Sequence, residues 1–386
     1  MIAVCVGAVS LLIWIYLLLA RGGFWRMTTF PGPAEPEPPQ RRIAVIMPAR
    51  NEADSVAHSI RSLLQQSYPG PTRIFLVDDH SSDRTAEIAR QAAQLTGAPD
   101  RLSIIQAQPL PAGWTGKLWA VSQGLQAATS FDAEYCLLTD ADVVHQPGNL
   151  SNLVLRAESG NFDLVSLMVK LHCESLAERL LIPAFVFFFF KLYPPAWVAE
   201  PDRLTAAAAG GCMLVRPAAI ARIGGIAAIR DQLIDDCALA RALKDSGGHI
   251  WLAPTESALS LRHYESWSDI SRMISRTAFT QLRHSALLLA AVCAGMCVTY
   301  LAPPILLFFG PKAALLGASA WLLQSVAYWP TLRLYRQPPW WAPLLPAAAC
   351  FYLGATVLSA LQYWRGRGGQ WKGRIQDPTN SPVPPN

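Results

Sequence analysis

The sequence predicts an α/β protein: a mostly parallel, Rossmann-like sheet with membrane-spanning helices at both its N-terminal and C-terminal ends. Three observations carry that prediction. Charged residues are only 15% of the 386-residue chain and apolar residues 52%, with mean hydropathy +0.24, against about 25% charged in an average soluble domain. The longest apolar runs lie at the two ends. Between them, short β-rich runs alternate with helical patterns, and acid-rich clusters follow several of the β-rich runs.

The first run, 2–20, is 19 residues without a charge, enough to span about 30 Å of hydrocarbon as a helix. It lacks the basic n-region and A-x-A site of a signal peptide and reads as an uncleaved anchor. Arg21, Arg26, Arg41 and Arg42 follow, and the stretch PGPAEPEPP (31–39) makes 21–41 an extended linker. By the positive-inside rule these arginines place the central domain, 42–284, in the cytoplasm of a multi-pass protein of the cell (inner) membrane. Three later runs, 285–309, 313–330 and 341–361, read as membrane helices within 285–364, the first kinked by Pro303-Pro304. Four crossings would leave the tail 365–386, basic and then Pro-rich, on the far side, against the same rule. A further apolar stretch, 180–198, carries Pro183, Lys191, Pro194 and Pro195. It reads either as an interfacial segment on the bilayer surface or as a buried core helix.

The composition also excludes some functions. A net charge of +5 with no concentrated basic stripe suits the neighbourhood of anionic lipid, not nucleic acid. Eight scattered cysteines without a CxxC pair argue against a zinc ribbon and a disulfide framework, and the seven histidines form no HExxH.

Within the central domain, candidate strands are 43–47, 73–77, 102–106, 135–139 and 164–169, with helices around 53–66, 84–95, 117–127 and 149–157. Such alternation implies a sheet covered on both faces, with ligands bound beyond the carboxyl ends of the strands. Pro48, Arg50 and Glu52 follow the first strand, Asp78 to Thr85 the second, and Asp140 and Asp142 the fourth. Clustered carboxylates repel one another unless a cation joins them. One acid could be a helix cap, as Asp83 and Ser82 partly are expected to be, but three clusters at strand ends point to a site. Asp140 and Asp142, flanking Ala141, form oxygen ligands for a hard divalent cation, Mg2+ or Mn2+. Lys117, in GWTGK (113–117), offers positive charge beside glycines that permit close backbone approach. Asp235 and Asp236 open a helix, where the macrodipole favours acids. Gly210 and Gly211 precede an apolar strand at 213–215.

PARNE (48–52), LVDDHSSDRTA (76–86), TDAD (139–142) and IDDCALA (234–240) resemble the ordered motifs of the family-2 inverting glycosyltransferases with the GT-A fold, over about 42–285. LPAGWTGKLWAVSQG (110–124), DLVSLMVKL (163–171), LLIPAFVFFF (180–189) and AAAAGGCMLVRP (206–217) resemble the hopene-associated members more narrowly. The membrane layout resembles the ceramide glucosyltransferases. The resemblance implies a nucleotide-sugar donor, a UDP-sugar, transferred with inversion to a hydroxyl of a membrane lipid, hopanoid-related, with a divalent metal as cofactor. It implies that Asp79, Pro48, Arg50 and Glu52 line the nucleotide pocket, with Glu52 bonding ribose or base or else fixing Arg50. It further implies Lys117 on the diphosphate, Asp140 on the ribose or metal, Asp142 on the metal, and Gly210 and Gly211 beside the sugar. Asp236 would be the general base and Asp235 its neighbour in place of the commoner glutamate. Arg276 matches the arginine of a Q/R-x-x-R-W motif whose tryptophan is here Thr277, which argues against a processive polysaccharide synthase. Arg272 would share Arg276's helix face, and His263 is a weaker metal candidate. Other lipid acceptors (ceramide, diacylglycerol, carotenoid, polyprenyl phosphate) stay open. A transporter predicts ionisable residues inside the spans, which the C-terminal runs lack. A non-catalytic binding module predicts missing strand-end acids, and none is missing.

Overall fold

The computed structural model describes residues 1–29, 38–366, 370–371 and 374–375. Most of the Pro-rich stretch 31–39 and of the tail 365–386 lies outside them. Helix α1 (Ile2–Leu19) leads the chain. The central domain then runs β1 (Ile43–Ala49), α2 (Val56–Leu64), β2 (Thr72–Asp78), α3 (Thr85–Leu95), β3 (Leu102–Gln106), α4 (Gly116–Ala128), β4 (Tyr135–Thr139), β5 (Val143–His145), α5 (Asn149–Ser159) and β6 (Leu164–Lys170). Next come α6 (Leu176–Leu192), α7 (Pro195–Ala199), β7 (Cys212–Val215), α8 (Pro217–Arg222), α9 (Asp235–Asp245), β8 (Ile250–Ser260), α10 (Trp267–Ser275) and α11 (Ala278–Gln281). The last helices are α12 (Ala286–Met296), α13 (Ala302–Ile305), α14 (Pro311–Leu334) and α15 (Leu345–Trp364).

The eight strands form one sheet in the order β3-β2-β1-β4-β7-β6-β8-β5. β7 runs antiparallel to β4 and β6, and β5 antiparallel to β8; the other pairs are parallel. All seven residues of β1 are buried, as a strand covered on both faces requires. Alternate side chains serve two cores. Ile43, Val45 and Met47 pack with α2 and α5 residues such as Ile60 and Leu153, whereas Ala44 and Ile46 pack toward α4, α6 and α9. Gly124 lets α4 sit directly on β1: a Cβ there would lie 2.6 Å from Ile46 Cγ2. That contact fixes the height of Lys117 above the sheet. The carboxyl ends of β1, β2, β4, β6 and β8 therefore share one rim.

Among the described residues three stretches are long and apolar enough to cross a membrane: Ile2–Leu19, Ala286–Phe308 and Pro339–Trp364. The run 313–330, expected as a span, is helical within the 24-residue α14 but is not among them; Gly317, Ser319, Gln324 and Ser325 dilute its hydropathy. The first C-terminal span is interrupted before Pro303 by a π-turn at Cys297–Leu301. Pro303 has no N–H for the Thr299 carbonyl, four residues back. That carbonyl accepts instead from Trp14 Nε1 at 2.8 Å, which ties α1 to the kink.

Over α6 the structure shows the buried alternative for 180–198. Leu181, Ile182, Ala184, Val186, Phe187 and Phe190 are fully buried. Phe187 meets Tyr328 of α14, Phe188 meets Tyr300 and Tyr352, and the Leu181 carbonyl accepts from the Tyr352 hydroxyl at 3.0 Å. α6 is thus the seam between the sheet domain and the C-terminal helices, and its aromatic surface is consumed there.

Glu178 anchors this seam. It is 1% exposed, and its carboxylate accepts from the N–H groups of Glu174, Ser175 and Tyr264 at 2.8–2.9 Å, with His172 Nδ1 at 2.9 Å. Burial alone would raise its pKa. The Tyr264 N–H, the His172 ring and the Ser175 and Glu174 N–H groups outweigh burial and bring the carboxyl down to about 2. A folded-state pKa below the unfolded one means stability present above pH ~4.5 and lost as pH falls toward 2. Glu178→Ala should lower stability by about 3 kcal/mol at pH 7. Melts of the detergent-solubilised protein should show the gap between wild type and variant closing as pH drops below about 4.5.

Candidate active site

At the shared rim lies a polar cavity of ≈ 110 Å³, lined by Pro48, Arg50, Glu52, Thr115, Lys117, Asp140, Ala141, Asp142, Gln232, Leu233, Asp235, Arg262 and Arg276. The loop after β1 brings Pro48, Arg50 and Glu52. Thr115 caps α4 by accepting from the Leu118 N–H, which directs Lys117 into the cavity from the first turn. The turn after β4 brings Asp140 and Asp142, the start of α9 brings Asp235, and the residue after α10 is Arg276.

Two cations hold the acids together. Lys117 Nζ lies 3.0 Å from Asp140 and 3.3 Å from Asp235. Burial opposes its charge, but Asp140 and then Asp235 overcome this and raise its pKa. On the other side, Arg262 spans Asp142 at 3.5 Å and Glu52 at 3.7 Å. Asp142 is raised to about 6 by burial first and the Asp140 charge second, with Arg262 pulling the other way.

The predicted residues fall into three groups. Pro48, Arg50, Glu52, Lys117, Asp140, Asp142, Asp235 and Arg276 share the cavity. Asp79, Asp236 and Gly210 stand just behind its wall. Asp79 is 2% exposed, and Arg50 donates to its carbonyl at 2.6 Å and faces its carboxylate at 3.4 Å. Asp236 accepts from the Gly210 N–H at 2.9 Å and the Cys237 N–H at 2.7 Å. Burial first, then Asp235, raises it to about 6, against Lys117 and those two N–H groups. A Cβ on Gly210 would lie 3.3 Å from Lys117 Nζ and 3.4 Å from Asp236, so this glycine permits that approach. Gly211 packs against Val169 instead. The third group lies away from the cavity. Arg272 pairs with Asp269 and does not share the cavity with Arg276. His263 packs against His172, the rings tilted at 48° with centroids 3.8 Å apart. Glu52 pairs with Arg262 and accepts from the Ser55 hydroxyl at 3.2 Å.

Sequence reasoning missed Arg262. The signal was the strand itself: β8 ends at Ser260, two residues before it. Its pairing with β5 (Val143 with Ser260) and the Leu261 N–H bond to the Asp142 carbonyl at 2.8 Å set Arg262 beside Asp142.

Among the described residues no group of three or more His, Cys, Asp and Glu side chains forms a ready metal site. Asp140 and Asp142 nevertheless fit a hard divalent cation: they are oxygen donors two residues apart that line the same cavity. The remaining ligands would have to come from a bound molecule.

The family model described as "Glycosyl transferase family 2" matches residues 44–224. The undecaprenyl-phosphate 4-deoxy-4-formamido-L-arabinose transferase of Edwardsiella ictaluri is 32% identical over 125 residues, 32% of this chain and 35% of that protein. Its Klebsiella pneumoniae counterpart is 27% identical over 148 residues, 37% of this chain and 41% of that protein. The chain thus spans well under half the length of these curated relatives. Among solved structures, the mannosyltransferase PcManGT from Pyrobaculum calidifontis, in complex with GDP-Man and Mn2+, is similar with a TM-score of 0.58 at 20% identity. That likeness covers 93% of this chain and 99% of the other, and it is a likeness of fold.

Lys117 separates carboxylates that would otherwise face one another. Lys117→Met should therefore destabilise the protein by about 3 kcal/mol at pH 7. The deficit should shrink between pH 7 and 5 as Asp236, held near 6, takes up a proton. Thermal melts across that range, with wild type alongside, measure both effects.

Proposed function

We propose that the chain, whose residues 44–224 match the glycosyl transferase family 2 model, is a glycosyltransferase that moves a sugar from a nucleoside diphosphate sugar, a UDP-sugar, to a hydroxyl of a membrane lipid with inversion. The observation that carries the proposal is the convergence of Lys117, Arg262, Asp140, Asp142 and Asp235 on one cavity beside Asp236. The hopanoid-related class of acceptor rests on the motifs at 110–124 and 206–217. A lipid acceptor is supported by the three apolar stretches and by α6, which joins the site domain to them.

In this reading Pro48 and Arg50 shape the nucleotide side, with Asp79 holding Arg50. Lys117 and Arg276 bond the diphosphate. Asp140 and Asp142 would hold a divalent cation, which supplies charge neutralisation to the departing diphosphate. Asp236 accepts the proton of the lipid hydroxyl as its oxygen bonds to the anomeric carbon and the bond to the diphosphate oxygen breaks. A carboxyl held near 6 by burial and Asp235 is ionised at neutral pH and basic enough for that task. Gly210 holds it in place through its N–H. Three crossings would return the basic residues after Trp364 to the side of the catalytic domain, the cytoplasmic one by the positive-inside rule.

A second reading is favoured by the names of the matched relatives, which are undecaprenyl-phosphate sugar transferases. A phosphate acceptor is already anionic and needs no base. Membranes incubated with labelled UDP- and GDP-sugars and lipid extract distinguish the two. A sugar on a lipid hydroxyl resists mild acid, whereas a sugar on a lipid phosphate is released. We expect acid-stable, Mn2+- or Mg2+-dependent labelling that falls as pH drops through about 6 and is reduced at least about a hundredfold in Asp236→Asn, with nucleotide binding retained. Acid-labile product with undiminished Asp236→Asn turnover would refute the hydroxyl reading.

A further inference from the structure

The cavity wall carries four carboxylates and four cationic side chains among its described residues, so it is neutral as it stands. It is also small. At ≈ 110 Å³ it falls below the ~300–1,000 Å³ usual for small-molecule sites. The side chains that close it must move before a nucleotide sugar fits. Arg262 is placed to do so. Its guanidinium reaches Asp142 and Glu52 at 3.5 and 3.7 Å, longer than good charge-assisted bonds, and its side chain is 40% exposed on the other side. Its backbone is held beside Asp142 by the β5–β8 ladder, so only the side chain needs to swing.

We propose that Arg262 is a resident counter-ion: it neutralises Asp142 and Glu52 in the nucleotide-free protein and gives them up only when a divalent cation arrives together with a nucleoside diphosphate. This rests on the glycosyltransferase reading above. The reason is charge balance in a recess of low dielectric. A bare divalent cation would push the guanidinium off Asp142 and add two positive charges to a wall that is already balanced. A diphosphate without a cation would face Asp140, Asp142 and Glu52. The two together are close to neutral and leave the balance of the wall unchanged. Metal and nucleotide therefore bind with positive coupling, and by linkage each raises the other's affinity by the same factor.

The test is Mn2+ binding, read from the free-ion electron spin resonance signal, on the full detergent-solubilised chain with and without UDP or GDP. Wild type should bind Mn2+ at least about tenfold more tightly with nucleotide than without, and Arg262→Gln should bind Mn2+ alone at least about tenfold more tightly than wild type. Arg262→Lys, which keeps a cation, should stay near wild type. If nucleotide tightens Mn2+ binding but Arg262→Gln binds Mn2+ alone no better than wild type, the counter-ion role is overturned and the nucleotide–metal site survives. If wild type binds Mn2+ equally well with or without nucleotide, the proposal falls whatever the variants do. If no Mn2+ binds under any condition, both the proposal and the metal-dependent reading fall.

Discussion

Mutual repulsion among acids at the carboxyl rim of the sheet is the constraint on which the site depends. Glu52, Asp140, Asp142 and Asp235 arrive there from three separate segments of chain. Parallel strands deliver them to one edge because every crossover returns the chain to the same end. Such a cluster is stable only with cations among it. Lys117 and Arg262 supply them from opposite sides, one from the start of α4 and one from beyond β8. Each pair closes a gap that local sequence could not close.

The same rim is tied to the membrane helices through α6. Its capping box (Ser175 and Glu178) starts the helix, and Glu178 also takes the Tyr264 N–H, so the loop after β8 and the start of α6 are joined by one carboxylate. From there α6 carries its aromatics into α14, α15 and the π-turn. Its last turn ends at Tyr193, whose hydroxyl accepts from Gln281 of α11. The chain connecting site to bilayer is thus short and packed throughout, which suits a reaction between a water-soluble donor and an acceptor held in lipid.

Much of this was legible in the chain. β1, β2, β3, β4 and β6 follow the β-rich runs, and the clusters that trail β1 and β4 face one cavity, with Asp79 after β2 behind its wall. Asp79 and Asp236 illustrate the limit. A motif shows that an acid follows a strand or opens a helix, but not which way its carboxylate points. Asp235 lines the cavity while its neighbour takes two backbone N–H groups behind Gly210. The helix rotates successive residues by about 100°, and the angle at which α9 docks on the sheet decides which of the two is exposed.

The sequence by itself determined the alternation of strands and helices, the apolar ends and the residue types at each strand terminus. These depend on local periodicity and composition, which survive without knowledge of partners. Only the folded arrangement settles that Arg262 joins the acids, that α6 is buried, that the Thr299 carbonyl freed by Pro303 bonds Trp14, and that His263 packs against His172. Each of these pairs residues far apart in the chain. A long-range pairing is set by the docking of whole elements, which no local pattern encodes.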